Sequence, residues 1–138
     1  MKAFFDTNIY IDVLKGSLPL SFYEQFLDKY IIRLCPVVYQ ELIRCVTSPS
    51  FKKKIDQITH RVLFFPSPTI KMWVNAGNLA GKIMGNTDKL SLEKIQNDLL
   101  IALTARENGA VLITQDKHFR LIQKHVRFSL ILHENRID

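Results

Sequence analysis

The stretch NDLLIALTARENGAVLITQDKHF, residues 97–119, contains the clearest structural pattern in the 138-residue chain. Its first half carries aliphatic residues at helical spacing, and Gly109 follows where a helix commonly ends. Its second half contains the aliphatic run Val111–Thr114, which is typical of a buried strand. A long helix followed by a buried strand is a unit of α/β domains, so this stretch predicts a sheet with parallel strands.

The rest of the chain continues the alternation of strands and helices. Short apolar runs predict further strands at residues 2–5, 31–34, 62–65 and 128–132. Helical spacing, prolines at first turns and glycines at ends predict helices at 8–14, 20–30, 36–46, 51–61, 69–84, 91–108 and 117–124. We therefore expect a single α/β domain over residues 1–138, with a central, mainly parallel sheet flanked by helices.

Composition limits the classes of function. With 47% hydrophobic and 23% charged residues, the chain is not of a disordered class. No apolar run reaches the roughly 18 residues that cross a bilayer, and Asp6 interrupts the first apolar run too early for a signal peptide. We therefore expect a cytoplasmic protein with no membrane partner. The net charge of +6 permits a polyanionic partner without identifying one.

Two acidic residues occupy helix positions that should face the core. Glu41 falls within the helical stripe formed by Val38 and Leu42, which Cys45 and Val46 continue. Asp98 has as its neighbours on consecutive turns Ile101, Ala102 and Ala105. A charged carboxylate that faces a core is costly unless it is paired or binds a cation. The structural alternatives are an arginine partner for Glu41 and Lys94 as the partner of Asp98.

Two further acids follow predicted strands. Asp6 comes directly after the first strand, and Asp116 lies two residues after Val111–Thr114. Ligands of open α/β sheets bind beyond the carboxyl ends of the strands, so both aspartates are placed at the functional edge if the two strands are parallel. The structural alternative for each is capping of the next helix.

Taken together, the four acids indicate a metal site. Carboxylates without thiols favour hard cations such as Mg²⁺ or Mn²⁺ over zinc. A carboxylate-bound cation with open coordination positions suits phosphoryl chemistry, because it activates water and stabilises charge on the attacking and leaving oxygens.

The acids lie in motifs whose order and spacing resemble those of a PIN domain, over nearly the whole chain. The motifs are Asp6-Thr7-Asn8, Tyr39-Gln40-Glu41-Leu42, residues 97–105 and residues 112–119. The compact length is similar to that of VapC toxins from toxin–antitoxin systems. The resemblance implies a three-layer sandwich and a metal-dependent endoribonuclease that cleaves RNA, is often dimeric and is inhibited by a cognate antitoxin.

The resemblance also implies roles for individual residues. Metal ligation, direct or through water, falls to Asp6, Glu41, Asp98 and Asp116, with Mg²⁺ or Mn²⁺ as the cofactor. Asn8 and Thr114 have supporting hydrogen-bonding roles. His118 stands where many relatives carry another acid or an asparagine, and it is interpreted either as a partly exposed residue at a helix start or as a ligand or proton donor. Its presence leaves open whether the site holds one metal ion or two.

Two alternatives remain open at this stage. The chain is either an active endoribonuclease or a catalytically silent PIN module that binds RNA or a protein partner. Gly77, Gly81 and Gly85 recur every four residues on one predicted helix and leave one of its faces nearly bare. Because glycine weakens a helix, we expect a close backbone contact there, either with a neighbouring helix of the domain or with another subunit or partner.

Overall fold

A parallel sheet of four strands forms the centre of the protein. In the computed structural model, which describes residues 1–84 and 89–134, the strands are β1 (Lys2–Phe5), β2 (Ile31–Ile32), β3 (Val111–Thr114) and β4 (Ser129–Leu132). Their order is β2-β1-β3-β4, and all three neighbouring pairs are parallel. The predicted α/β class with a mainly parallel sheet is therefore confirmed.

Helices flank the sheet and complete an α/β sandwich. Those of the described residues are α1 (Thr7–Lys15), α2 (Leu20–Leu27), α3 (Pro36–Arg44), α4 (Pro49–Thr59), α5 (Ile70–Met84), α6 (Lys89–Glu107) and α7 (His118–Ile122). Gly16 and Gly109 follow α1 and α6 with φ values of 81° and 58°, the left-handed conformation that glycine adopts without strain. None of the described helices is long and apolar enough to cross a bilayer.

The core explains why residues 97–119 dominate the sequence pattern. Residues 99–103 of α6 are all buried, and β3 is buried along its whole length. On the neighbouring strand, Phe5 packs against Tyr23 at a ring-centroid distance of 4.7 Å, with Tyr10 and Phe26 also in contact. The central strands and α6 therefore share one continuous hydrophobic core.

The predicted strand at residues 62–65 is wrong as a full strand. It forms a single bridge, in which the Leu34 N–H donates to the Leu63 carbonyl and the Phe65 N–H donates to the Leu34 carbonyl. Likewise β2 ends at Ile32 instead of Leu34. Pro36 begins a helix shortly after Leu34, and Pro66 directly follows Phe65. Because proline has no N–H to donate, neither segment can continue the ladder of hydrogen bonds beyond its proline.

Several predicted helix boundaries also shift. The second helix ends at Leu27 instead of Tyr30, and α3 ends at Arg44, which leaves Cys45 exposed outside the buried stripe expected for it. The fourth helix begins at Pro49 instead of Phe51, because the Ser48 side chain accepts a hydrogen bond from the Phe51 N–H at 3.1 Å. Serine as the cap and proline in the first turn are the usual start of a helix.

The glycine face of α5 is open. α5 packs against α6, and the buried residues of α5 are Met72, Ala76 and Ala80, on a different side of the helix from the glycines. A Cβ atom added at Gly77 or Gly81 would meet no heavy atom within 4 Å. In the described part of the chain, these glycines therefore make no close contact with another helix. The intramolecular explanation is therefore wrong for these two residues, and Gly85 lies outside the described residues.

We expect Gly81→Ala to raise the free energy of unfolding by about 0.5–1 kcal/mol, because alanine restricts the unfolded chain and favours the helix. Urea denaturation followed by circular dichroism measures the change. Gly109→Ala is the matched control and should lower stability, because a side chain at φ 58° is strained. A loss of stability in Gly81→Ala would contradict the open face and indicate that another chain packs against it.

Candidate active site

Two aspartates meet at one edge of the sheet. In the parallel pairing of β1 with β3, Phe5 lies opposite Ile113, so both strands end at the same edge. The Asp6 N–H donates to the Ile113 carbonyl at 2.9 Å, which continues the ladder by one residue and buries Asp6 to 6% exposure. Asp116 lies two residues beyond β3 at this edge. The predicted placement of both acids after parallel strands is thus what the structure shows.

Thr114 connects these two acids. Its buried hydroxyl donates to Asp6 Oδ2 at 2.7 Å and accepts from the Asp116 N–H at 3.0 Å. One side chain at the end of β3 therefore fixes a carboxylate oxygen of Asp6 and the backbone that carries Asp116. This contact gives Thr114 the hydrogen-bonding role at the site that the sequence predicts for it.

Thr7 connects Asp6 with the third acid, Glu41, and the sequence did not predict this role for Thr7. The Thr7 N–H donates to Asp6 Oδ1 at 2.8 Å, and its hydroxyl donates to Glu41 Oε1 at 2.8 Å. Glu41 is half-buried, and among the described residues it has no ion pair with an arginine. Glu41 lies 34 residues from Thr7, so no local signal in the sequence indicates this contact.

Asp98 is the acid with the most unfavourable surroundings. It is 6% exposed, and its neighbours Ile101, Ala102 and Ala105 are buried as predicted. Burial raises the pKa of Asp98 to about 8, with further increases from the charges of Asp6, Asp116 and Glu41. Because three other acids act on its carboxyl group, all four predicted site residues lie in one electrostatic cluster.

Lys94 has a different partner from the one expected. Its ammonium lies 3.6 Å from Asp116 Oδ2 and forms the ion pair there, whereas toward Asp98 it acts only through its charge, which lowers that pKa. The structural alternative that paired Lys94 with Asp98 is therefore wrong. Asp98 lacks a partner of its own among the described ion pairs, so its burial is not explained by a salt bridge.

Asp6 is stabilised more fully. Burial raises the pKa of Asp6 to about 6, while the hydrogen bonds from Thr114 and Thr7 lower it and the charges of Glu41 and Asp116 raise it again. Asp6 also caps α1 through the Thr7 N–H. The capping alternative for Asp6 is thus correct, and it coexists with membership of the acidic cluster.

Asp116 is the acid that the protein keeps ionised. Burial opposes ionisation, but hydrogen bonds from the His118 N–H at 2.9 Å and from His118 Nδ1 at 2.8 Å, with Lys94 nearby, lower the pKa of Asp116. His118 is the first residue of α7, and its side chain is 69% exposed. It therefore matches the predicted residue at a helix start, and its ring contacts the cluster through Asp116.

Asn8 supports the site from its edge. Asn8 Oδ1 accepts from the Gln115 N–H at 3.4 Å, and Gln115 Nε2 donates to Asp12 Oδ2 at 2.7 Å. These bonds hold α1 against the segment between β3 and Asp116. The link between Gln115 and Asp12 was not predicted, because the two residues are 103 positions apart and Asp12 belongs to none of the motifs.

Comparison with known proteins identifies the family. The family model described as PIN domain matches residues 3–125, which include all four acids. This chain belongs to the PIN domain family. No curated protein matches the sequence at a significant level.

Two solved structures share the fold of this PIN domain. A chain of VapBC2 from Rickettsia felis, crystallised with a DNA fragment from its promoter, aligns with a TM-score of 0.68 and 18% identity, over 97% of this chain and 100% of that one. A chain of VapBC-1 from nontypeable Haemophilus influenzae, at 2.2 Å resolution, aligns with a TM-score of 0.66 and 24% identity, over 96% and 98%. At these identities the likeness shows the fold.

The donor chemistry of the cluster fits a hard divalent cation. Its donors are carboxylate oxygens without a thiolate. Burial, and after it the charges of the neighbouring acids, raises the pKa of Asp98, and a bound cation would offset both effects by neutralising the carboxylate. Across residues 1–84 and 89–134, however, no three His, Cys, Asp or Glu side chains lie close enough to hold a metal ion as they stand. In the described residues, the four acids thus interact through their charges but are not arranged as a complete set of metal ligands.

The raised pKa values of Asp6 and Asp98 predict how stability depends on pH without metal. The unfolded chain releases both protons near the ordinary value of 3.8, whereas the folded PIN domain keeps them up to about pH 6 and pH 8. The folded state binds more protons between about pH 4 and pH 8, so stability falls as pH rises through this range.

Asp98→Asn should remove most of the decrease in stability between about pH 4 and pH 8. We expect the variant to be more stable than wild type by roughly 2 kcal/mol at pH 8 and similar to it at pH 4, because an amide stays neutral where the carboxylate is buried. Urea denaturation in the presence of a chelator measures the difference. Asp56→Asn, at an exposed position on α4, is the matched control. If the stability of Asp98→Asn fell with pH as much as that of wild type, Asp98 would not be the cause of the fall.

Proposed function

We propose that this PIN domain is a divalent-metal-dependent endoribonuclease and the toxin of a toxin–antitoxin pair. The observation that carries the proposal is the hydrogen bonding of Thr114 and Thr7, which connects Asp6 with Asp116 and Glu41. The buried Asp98, on whose carboxyl group the charges of the other three acids act, completes the cluster. Burying Asp98 without an ion-pair partner does not stabilise the fold, since it costs stability at every pH above the ordinary carboxyl pKa of about 3.8. A cation that compensates this charge gives the cluster a function.

Mg²⁺ or Mn²⁺ held by these four acids would activate water and stabilise charge on the scissile phosphate. The chain's own side chains orient the donors. Thr114 and Thr7 fix both oxygens of Asp6, and the Thr7 hydroxyl also fixes one oxygen of Glu41. His118 and Lys94 hold Asp116 in its ionised form by hydrogen bonding and charge. Fixed carboxylates need no reorganisation when the charge of the reaction develops.

The charge balance of the chain supports a polyanionic substrate. Lys and Arg number 19 against 13 Asp and Glu, and four of those acids belong to the cluster. The rest of the molecule is therefore more basic than the net charge of +6 indicates, and it attracts a phosphate backbone. The choice of RNA over DNA is supported by the resemblance to PIN-domain ribonucleases.

Replacement of single acids tests the nuclease. With Mg²⁺ or Mn²⁺, the purified protein should cleave RNA, and Asp6→Asn or Asp98→Asn should lower the rate by about 100-fold or more, because each removes a charged donor. Cleavage of a labelled single-stranded RNA measures the rate, and Asp56→Asn is the control that should keep full activity. Because Asp98→Asn should be at least as stable as wild type, its loss of activity is not attributable to unfolding.

The alternative is a catalytically silent module, and the same preparation decides between the two. Full activity in both Asp6→Asn and Asp98→Asn would exclude the cluster as the catalytic centre. A folded wild-type protein that cleaves no RNA and shows no Mg²⁺ or Mn²⁺ binding by calorimetry would favour a module that binds RNA or a protein partner.

The toxin assignment rests on the shared fold. VapBC2 and VapBC-1 are two solved structures with which the chain aligns over nearly its full length. We infer that the protein acts in the cytoplasm, forms a homodimer and is inhibited by a small cognate antitoxin.

Expression of the wild-type chain alone should arrest bacterial growth, while Asp98→Asn should not. If the reading frame directly upstream encodes a small protein, its co-expression should restore growth and yield a complex that co-purifies. Size-exclusion chromatography with light scattering measures the stoichiometry of the toxin and of the complex. Normal growth with active, well-expressed wild-type protein would contradict the toxin role while leaving the nuclease intact.

A further inference from the structure

A cavity of about 330 Å³ opens beside the acidic cluster. Its position is set by α5, α6 and α7, and its boundary includes Asp98, so it is continuous with the cluster. The apolar side of the cavity is formed by Ile83, Met84, Ile95 and Leu121. The polar side carries Lys94 and His118, the same two residues that contact Asp116.

The apolar wall has no role in the chemistry of a metal or a phosphate. Leu121 is 49% exposed, and Ile83 and Ile95 are half-buried, so aliphatic surface faces solvent directly next to charged groups. Small-ligand cavities have this composition, a mostly apolar lining with a few placed polar groups, and a volume of 330 Å³ is at the lower end of their range. The aliphatic wall therefore fits an apolar group, and Lys94 beside the wall fits an anion attached to that group.

We propose that this cavity receives a nucleobase next to the scissile phosphate of single-stranded RNA. The inference rests on the proposed function and names a substrate group for the same site. In a nucleotide the base is tethered to its phosphate through one ribose, so a phosphate at the acidic cluster places an adjacent base within reach of the cavity. Lys94 and His118 lie on the rim between the two and match the negative charge of the backbone.

Single-stranded RNA is the form that fits, because bases in a duplex are stacked and paired. An unstacked base presents its apolar faces, which pack against the aliphatic wall as bases pack against apolar side chains in other RNA-binding and base-flipping proteins. The described side chains of the wall are aliphatic apart from the thioether of Met84. This wall therefore favours the presence of a base over its absence more strongly than it favours one base over another. The polar rim then orients the backbone.

The first experiment measures binding without turnover. Fluorescence anisotropy, with a chelator present, compares oligoadenylate with an abasic ribose-phosphate oligomer of equal length and charge. Wild type should bind oligoadenylate about tenfold more tightly, which corresponds to about 1.4 kcal/mol, because a base that covers roughly 60 Å² of the aliphatic wall removes that apolar surface from water. Leu121→Gln should reduce this preference to less than about threefold, because a polar side chain replaces the exposed apolar wall.

Leu27→Gln is the matched control. Leu27 is 45% exposed on α2 and lies outside the cavity lining, so it makes the same chemical change at similar exposure. This variant should keep the preference of wild type. Because both leucines are about half exposed, circular dichroism should show that both variants fold.

A second measurement locates the base directly. In methyl NMR spectra of the wild-type protein, adenosine 5′-monophosphate should shift the signals of Ile83, Ile95 and Leu121, while ribose 5-phosphate should leave them nearly unchanged. Equal shifts with both ligands would overturn the proposal. Shifts that occur only with the upstream-encoded protein, and not with the nucleotide, would overturn it in favour of a protein-docking site.

The outcomes separate this proposal from the proposed function. Base-dependent binding that Leu121→Gln abolishes, in a protein that cleaves no RNA, would support the base site and reject the nuclease. Normal cleavage with equal affinity for both oligomers in wild type would overturn the base site and leave the nuclease standing.

Discussion

The hydrogen bond from the buried Thr114 hydroxyl to Asp6 is the contact on which the rest of the site depends. It joins residues 108 positions apart in the chain, and it forms only because β1 and β3 are parallel and in one register. A shift of one residue would turn Thr114 to the other face of the sheet, and Asp6 would then be buried without that donor. The same register sets the position of Asp116, whose N–H donates to the Thr114 hydroxyl.

The buried acids of the site lower the stability of the fold. Hydrogen bonds compensate Asp6, and His118 with Lys94 compensates Asp116, but Asp98 is left buried beside three other acids, which is why its pKa rises to about 8. A folded domain holds such a group only because the surrounding core, including residues 99–103 of α6, stabilises the helix that carries it. The uncompensated charge at Asp98 is the property that a divalent cation would satisfy, and it distinguishes this cluster from a set of surface acids.

Sequence patterns predicted the parts of the structure that depend on local chemistry. The bounds of β1 and β3 follow from apolar runs, and the acids after them fall at the predicted edge because parallel strands share an edge. The bridge through Thr7 and the pairing of Lys94 with Asp116 were not predicted, because they depend on side-chain directions between elements distant in sequence. The predicted strand at residues 62–65 forms only one bridge, because the Val62 N–H is bonded to the Thr59 carbonyl at the end of α4 and Pro66 follows Phe65.

One turn of α6 carries residues of both the acidic cluster and the adjacent cavity. Lys94 and Asp98 are four residues apart and Ile95 is three before Asp98, so all three lie on neighbouring positions of one helix face. Lys94 contacts Asp116, Asp98 belongs to the acidic cluster, and Ile95 lines the apolar cavity. A base that packs against Ile95 and a phosphate that reaches the acids are therefore held by the same rigid element. Their relative position is set by helix geometry and not by a loop, which favours a fixed distance between the bound base and the bond to be cleaved.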